Sequence, residues 1–231
     1  MEKVDLSSLP GKIPIGISCL DELTGGGLES EVITEIFGEG GAGKTNISMQ
    51  FAISTIREGG QVLYLDTEGF SVERFLQISG GDSSMADGLI LYRVSSLEAQ
   101  DLAILRVPKI LEKSRKVRLI IIDSFTEYFR LEASGDAVTR AAGFQKELSS
   151  LAASALKFRV PVLLTNQIYQ SPDSGNLHPF GGYVIDHVMK AIYRVEKTKD
   201  GKRRLVVVKH RSIKEGTAKE FKITEYGLSC E

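Results

Sequence analysis

Residues 38–45 read GEGGAGKT, and this stretch decides the fold. It matches the pattern G-x-x-x-x-G-K-[ST], in which a loop between a strand and a helix cradles the phosphates of a nucleotide. The preceding residues 32–37, VITEIF, predict a β-strand. From Lys44 to Arg57 the apolar residues recur at helical spacing, and two glycines then end the predicted helix. The motif therefore stands in the context that phosphate binding requires.

The composition of the loop explains what it can bind. Its glycines let the backbone turn tightly and aim N–H groups at phosphate oxygens, while the helix that follows contributes its positive end. Lys44 can reach the β- and γ-phosphates, and the hydroxyl of Thr45 can ligate Mg²⁺. A glycine-rich turn without a ligand is the alternative. We predict ATP and Mg²⁺ as cofactors, with the nucleotide held by Gly38, Glu39, Gly40, Gly41, Ala42, Gly43, Lys44 and Thr45.

Strands and helices alternate along most of the chain. Apolar runs predict strands at 61–66, 89–94, 117–123 and 160–165, with helices at 97–113 and 136–158 between them. The last part changes to consecutive strands at 189–196, 203–209 and 220–224. We predict an α/β fold with a mainly parallel, doubly wound sheet and an antiparallel C-terminal edge. Residues 1–27 are expected to form an arm with a short helix at Ser18–Leu23, and residues 28–231 the main domain.

Polar residues follow the predicted strands. Asp123 ends the run VRLIIID and is expected to hold Mg²⁺ through water, although a strand-ending Asp can also cap a turn. Glu68, in LYLDTEG, could orient or deprotonate the water that attacks the γ-phosphate. The neighbouring Asp66 could be confused with it, and either acid could be a solvated turn residue. Asn166 and Gln167 end another strand and suggest a γ-phosphate sensor or a loop-anchoring hydrogen bond.

The bulk composition limits the remaining possibilities. The chain has 231 residues, a net charge of −1 and a pI of about 6.4, so any nucleic-acid site must be a local patch. Cys19 and Cys230 show no C-x-x-C spacing, and we expect neither a disulfide nor a zinc site. No run is apolar enough to span a bilayer, and the N-terminus lacks the features of a signal peptide. These features predict a cytoplasmic protein without a membrane partner.

Several blocks occur together in a recognisable order. They include GEGGAGKT, VLYLDTEGFSVERF, LIIIDSFTEYFR and VPVLLTNQ. Together these blocks resemble the RecA/RadA family of recombinase ATPases over residues 13–228. The short chain is most similar to archaeal paralogues that lack the N-terminal helix–hairpin–helix domain. The resemblance implies a RecA-like core with Glu68 as catalytic glutamate, Gln167 as γ-phosphate sensor and Arg74 at the nucleotide, although Arg74 could instead form a surface ion pair.

The same resemblance implies a function. These paralogues bind ATP and DNA, hydrolyse ATP weakly and act in recombination and repair, so we expect DNA, a RadA-type recombinase or another copy of this chain as partners. The family's first DNA loop matches residues 132–136, EASGD, which are acidic, and its second matches residues 168–180, which hold no Lys or Arg. The N-terminus shows no F-x-x-A docking segment. We therefore expect an accessory role rather than strand exchange.

Basic residues crowd the predicted C-terminal hairpin. We expect them to contact DNA phosphates, with Lys209 and Arg211 also able to reach a neighbour's γ-phosphate in trans. A basic edge that deters strand pairing is the alternative. A regulatory nucleotide switch and a KaiC-like ATPase, both acting through proteins without DNA, are the competing functions. The C-terminal basic residues are Lys202, Arg203, Arg204, Lys209 and Arg211.

Overall fold

The computed structural model describes residues 11–131, 137–170, 177–179 and 187–230. Two segments match the family's DNA loops by sequence: residues 132–136 and residues 168–180. The first segment and most of the second lie outside the described residues. Within the described residues, strands and helices alternate up to β7, and strands predominate after it.

The strands are β1 (Lys12–Ile13), β2 (Leu28–Glu29), β3 (Ile33–Gly38), β4 (Gln61–Asp66), β5 (Leu89–Arg93), β6 (Val117–Asp123), β7 (Val162–Gln170), β8 (Leu177–Pro179), β9 (Ala191–Lys197), β10 (Arg203–His210), β11 (Ala218–Thr224) and β12 (Gly227–Ser229). The α-helices are α1 (Ser18–Leu23), α2 (Lys44–Arg57), α3 (Val72–Ser79), α4 (Leu97–Lys113), α5 (Glu127–Leu131) and α6 (Ala137–Phe158). A 3-10 helix covers Ser83–Gly88.

Ten strands of the described chain form one sheet in the order β12-β11-β10-β9-β3-β7-β6-β4-β5, with β8 pairing on β7. The six strands from β9 to β5 in this order run parallel, and β10, β11 and β12 continue the sheet antiparallel. This arrangement confirms the predicted α/β class with an antiparallel C-terminal edge. Parallel pairing also brings the carboxyl ends of β3, β4, β6 and β7 to one edge of the sheet, where a ligand crevice forms in such folds.

Helices cover both faces of the sheet, as a doubly wound fold requires. On one face, Ile47, Phe51 and Ile53 of α2 pack in a cluster with α1 and α3 residues. On the other face, α4 and α6 contribute Ile104 and Leu148 to a second cluster. The central strands are buried on both sides, which explains why their sequences are continuous apolar runs rather than alternating patterns.

The segment before β2 packs into the main core. Leu20 and Leu23 of α1 are buried in the same cluster as α2, and β1 pairs antiparallel with β2. Helix α1 coincides with the predicted helix. The division of the chain at residue 27 stays a prediction.

Helix α3 is an element that the apolar pattern did not reveal. Its ends carry recognisable signals: the hydroxyl of Ser71 accepts a 3.1 Å hydrogen bond from the backbone N–H of Arg74, and Gly80 follows the helix with φ +80°. The helix has only eight residues, which is too short for apolar residues to repeat clearly at helical spacing. Its position matters because it follows Glu68 directly.

The expectation about the cysteines was wrong. Cys19 in α1 and Cys230 after β12 form a disulfide with a Cα–Cα distance of 6.0 Å and a sequence separation of 211 residues. Spacing along the chain gave no sign of this pair, since the fold alone brings α1 beside the last strands. Among the described residues, no helix has the length and apolar character needed to cross a membrane.

Candidate nucleotide-binding site

The phosphate loop connects β3 to α2 at the carboxyl edge of the sheet. Gly43 immediately precedes α2 with φ +112°, and Gly41 lies two residues earlier with φ +69°. Such left-handed positions favour glycine and let successive N–H groups converge on an anion. A Cβ atom on Gly43 would also lie 2.7 Å from the Cδ1 atom of Ile223, so the C-terminal strands press against the start of α2.

Lys44 lies inside the loop. Its ammonium donates hydrogen bonds of 2.9 Å to the carbonyl of Gly38 and 3.1 Å to the carbonyl of Glu39. Burial lowers the pKa of Lys44, and the nearby carboxylates of Glu68 and Asp123 oppose that effect. The loop carbonyls therefore hold the cation that a triphosphate would engage.

Asp123 ends β6 directly beside this lysine. Its buried carboxylate accepts a 2.7 Å hydrogen bond from the hydroxyl of Tyr64 and further hydrogen bonds from Thr165 and Thr45. Burial raises the pKa of Asp123, and these hydrogen bonds counteract the shift. The contact between Thr45 and Asp123 brings together the two side chains assigned to the metal.

The donor set fits ATP with Mg²⁺. A hydroxyl and a carboxylate are hard oxygen ligands, and Mg²⁺ in phosphate sites needs few protein ligands because water and phosphate oxygens complete its shell. In the described part of the chain, no group of three His, Cys, Asp or Glu side chains could hold a metal ion.

Asp66 and Glu68 have different surroundings. The carboxylate of Asp66 accepts backbone hydrogen bonds from Gly69 and Phe70, both 2.8 Å, and from Glu68 at 3.3 Å. Asp66 is buried and shapes the loop, whereas the side chain of Glu68 is exposed at the crevice. The residue pattern alone left the choice between the two acids open, and their surroundings now show that they differ in what they can reach.

The two amides at β7 also face different partners. Gln167 donates from Nε2 to the carboxylate of Glu68 at 2.7 Å and to that of Glu127 at 3.2 Å. Asn166 is buried on the other side of the strand, where its Nδ2 donates to Glu35 at 2.8 Å and its Oδ1 accepts from Thr126. Strand alternation therefore places Gln167 at the crevice and gives Asn166 an anchoring role.

Arg74 bridges three elements next to the phosphate loop. Its guanidinium donates to Asn46 at 2.8 Å and to the carbonyls of Thr224 and Glu225, each at 2.8 Å. Asn46 directly follows Thr45 in α2, so the arginine lies close to the predicted nucleotide site. Its present contacts connect α2 and α3 to the turn between β11 and β12.

Two further cations contact the phosphate loop: Lys197, which no sequence pattern indicated, and Arg203, which the sequence placed only in the basic hairpin. Lys197, the last residue of β9, donates a 2.9 Å hydrogen bond to the carbonyl of Gly40. Arg203, the first residue of β10, lies with Nη2 3.4 Å from the carbonyl of Gly41. No sequence motif marks them, because their position depends on β9 pairing with β3, in which Val195 stands opposite Gly38.

The C-terminal basic residues do not form a single surface. Since β10 runs antiparallel to β9, Arg203 pairs with Lys197 at the phosphate-loop edge and Lys209 pairs with Ile192 at the opposite edge. The two ends of β10 are roughly 20 Å apart at strand spacing. Arg211 forms an ion pair with Glu29 of β2. Lys209 therefore lies at the end of β10 that is remote from the phosphate loop.

A parallel sheet with a glycine-rich loop before α2, a buried lysine in that loop and an acid at the end of β6 defines a P-loop nucleotide-binding protein with a RecA-like sheet. The sequence model of the Rad51 family matches residues 11–230. The chain therefore belongs to the Rad51 family.

Several relatives support this assignment. The chain is 52% identical over 231 residues to the DNA repair and recombination protein RadB of Thermoplasma volcanium, covering 100% of this chain and 97% of the relative. It is 49% identical over the full length of both chains to the RadB protein of Thermoplasma acidophilum. A crystal structure of the RadB recombinase superposes with a TM-score of 0.83 at 29% identity, covering 95% of this chain and 99% of that one.

Proposed function

We propose that this protein binds ATP and DNA in homologous recombination and DNA repair, hydrolyses ATP weakly, and assists a true recombinase rather than catalysing strand exchange. The observation that carries the nucleotide part is the meeting of Lys44, Thr45, Asp123 and Glu68 at one edge of the sheet. The names of its relatives support the assignment to repair and recombination.

The side chains at this edge would divide the work of hydrolysis. Backbone N–H groups of residues 38–45 and the ammonium of Lys44 bind the phosphates. Mg²⁺ at Thr45 and Asp123 neutralises phosphate charge when bound. The carboxylate of Glu68 accepts a proton from the attacking water, and Gln167 orients that carboxylate through their 2.7 Å hydrogen bond. Arg74 remains our proposal for a further contact to the nucleotide.

The DNA contact would use Lys202, Arg203 and Arg204 at the phosphate-loop edge. Two of these cations already have carboxylate partners: Arg204 lies 2.7 Å from Glu196, and Lys202 lies 3.5 Å from Asp200. DNA phosphates would have to compete with these exposed pairs, so we expect weak binding that falls steeply with salt.

Lys209 and Arg211 would act on the nucleotide of a neighbouring chain. The position of Lys209 at the end of β10 away from the phosphate loop supports a role in trans. Such a role requires a homo-oligomer or a mixed assembly with a RadA-type recombinase. We also propose a cytoplasmic location without a membrane partner, which suits a protein that works on DNA.

Electrophoretic DNA binding with and without ATP, across a salt series, tests the DNA part of this proposal. We expect binding to single- or double-stranded DNA without sequence preference, and a flatter salt dependence when Lys202, Arg203 and Arg204 are all replaced by Ala. An unchanged slope in that variant would remove these residues from the DNA site.

Lys202 and Arg204 already have carboxylate partners, which reduces the positive charge that they can offer to DNA. This observation favours a second candidate function that needs no DNA. A regulatory nucleotide switch, or a KaiC-like ATPase, would act through protein partners and would need no DNA. It would bind ATP normally and show no salt-dependent DNA binding. Mass measurement in the presence of ATP would separate the KaiC-like option, which assembles as rings.

The nucleotide part has its own test. We expect Lys44→Ala to abolish ATP binding in titration calorimetry, because the variant removes the main cation inside the loop. Near-normal affinity in a folded Lys44→Ala protein would refute the proposed site.

A further inference from the structure

We propose that Lys197, supported by Arg203, is a positioning residue that holds the phosphate loop in its binding shape before a nucleotide arrives. This inference rests on the proposed nucleotide site and adds residues from outside the loop motif. It concerns cations of the same chain, in contrast to the role in trans proposed for Lys209 and Arg211.

Lys197 and Arg203 contact consecutive carbonyls of the loop. The ammonium of Lys197 donates to the carbonyl of Gly40 at 2.9 Å and lies 3.6 Å from the carboxylate of Glu39. A Cβ atom built on Gly41 would lie 3.6 Å from the same ammonium, so the lysine runs along this turn. Arg203 approaches the next carbonyl, that of Gly41, at 3.4 Å.

Because the peptide bond is planar, the direction of the Gly40 carbonyl also sets the direction of the N–H of Gly41. In a trans peptide the C=O of one residue and the N–H of the next point in opposite directions. Because the Gly40 carbonyl points toward the ammonium of Lys197, the N–H of Gly41 points away from Lys197. That N–H belongs to the set that would receive phosphate oxygens.

The loop needs such a restraint because of its composition. Four of the eight residues in GEGGAGKT are glycines, which lose the most conformational freedom when a loop becomes ordered. A contact that fixes the loop in advance lowers the ordering cost of binding. Lys44 restrains the carbonyls of Gly38 and Glu39, and Lys197 restrains the carbonyl of Gly40.

This role predicts equal effects on ATP and ADP. If Lys197 shapes the loop, Lys197→Met weakens both nucleotides by the same factor, about five- to tenfold, because one charge-assisted hydrogen bond is lost at a partly exposed site. Lys197→Arg should restore most of the affinity. A lysine that touched the γ-phosphate itself would instead affect ATP and leave ADP unchanged.

The experiment is titration calorimetry of the full chain with Mg-ATP and Mg-ADP, using Lys199→Met as the matched control. Lys199 is exposed in the adjacent turn, so its removal deletes the same charge without the loop contact. Circular dichroism and thermal unfolding verify that each variant is folded. Equal loss for both nucleotides in Lys197→Met, with rescue by Lys197→Arg and little change in Lys199→Met, supports the proposal.

Three results would overturn it: unchanged affinities in a folded Lys197→Met protein, a loss confined to ATP, or an equal loss in Lys199→Met. Failure of the underlying nucleotide site is distinguishable, since the wild-type protein would then bind neither nucleotide.

Discussion

Gln167 and Glu68 lie 99 residues apart in the sequence, and the Nε2 atom of Gln167 donates a 2.7 Å hydrogen bond to the carboxylate of Glu68. The pair joins Gln167, inside β7, to the loop after β4. Because Gln167 could also contact a γ-phosphate, the hydrogen bond offers a direct route by which a bound nucleotide would reorient the carboxylate. This link places Glu68 at the centre of the first prediction.

Glu68→Gln should keep ATP binding and lose hydrolysis by at least about a hundredfold, because the amide cannot accept the proton of the attacking water. Steady-state phosphate release and nucleotide titration measure the two properties separately. Glu73→Gln, which changes an exposed glutamate of α3, serves as the control. Unaltered turnover in Glu68→Gln would show that the assigned base is wrong.

Asp66 should affect turnover and stability together. Asp66→Ala removes the acceptor of three backbone N–H groups, and leaving such groups unpaired costs about 1–3 kcal/mol. The loop that carries Glu68 would also lose its shape, so turnover should fall with little change in ATP affinity. Chemical denaturation and phosphate release test this, with the exposed Asp87→Ala as control. A variant with wild-type stability and turnover would contradict the role of Asp66 in shaping the loop.

Stability should depend on pH through a carboxyl group between α4 and α6. Glu147 accepts a 2.8 Å hydrogen bond from Gln100, and burial raises its pKa to about 8. In the unfolded chain the same group ionises near its ordinary value of about 4.3. The unfolded state therefore releases its proton first as pH rises, and the folded state loses stability until the pH passes about 8.

The size of this effect can be measured with Glu147→Gln, which stays neutral. At about 1.4 kcal/mol for each pKa unit, the upper limit of the loss between pH 5 and 9 is about 4 kcal/mol. Urea unfolding of the variant should show a flatter pH dependence than the wild type over this window. Glu112→Gln is the control, because the exposed ion pair with Lys157 lowers the pKa of Glu112. Parallel stability curves for wild type and Glu147→Gln would disprove the buried titration.

Reduction of the disulfide between Cys19 and Cys230 should lower the free energy of unfolding by about 2–5 kcal/mol, since the bond closes a very long loop in the unfolded chain. Thermal unfolding with and without a reductant measures the effect. Cys230→Ser provides the matched protein in which reductant should change nothing, because the sequence contains only 2 cysteines. Equal melting of oxidised and reduced wild type would show that the bond adds no stability.

The sequence predicted the fold well wherever the signal was local. Strands β4 and β6 match their predicted bounds, and α2 begins at Lys44 as the phosphate-loop motif requires. Helix α3 was not predicted because only about two helical turns separate its caps at Ser71 and Gly80. The pairing of Cys19 with Cys230 was missed because nothing in the sequence shows that α1 lies against the last strands.

The site was predictable to the extent that motifs carried it. Lys44, Thr45 and Asp123 came from recognisable patterns, and the structure brings them together. The family resemblance favoured Glu68 over Asp66 and Gln167 over Asn166, and the structure adds which side of a strand or loop each residue faces. Lys197 required the strand order itself, because only the pairing of β9 with β3 places it on the phosphate loop.

The disulfide between Cys19 and Cys230 also makes the described chain nearly circular. Any single peptide bond between these two cysteines can be cut by a protease without releasing a fragment, because both pieces stay covalently attached. A nicked molecule would stay a single covalent molecule, heavier by one water, until a reductant was added. Damage to one surface loop would therefore not by itself separate the segments that surround the nucleotide site.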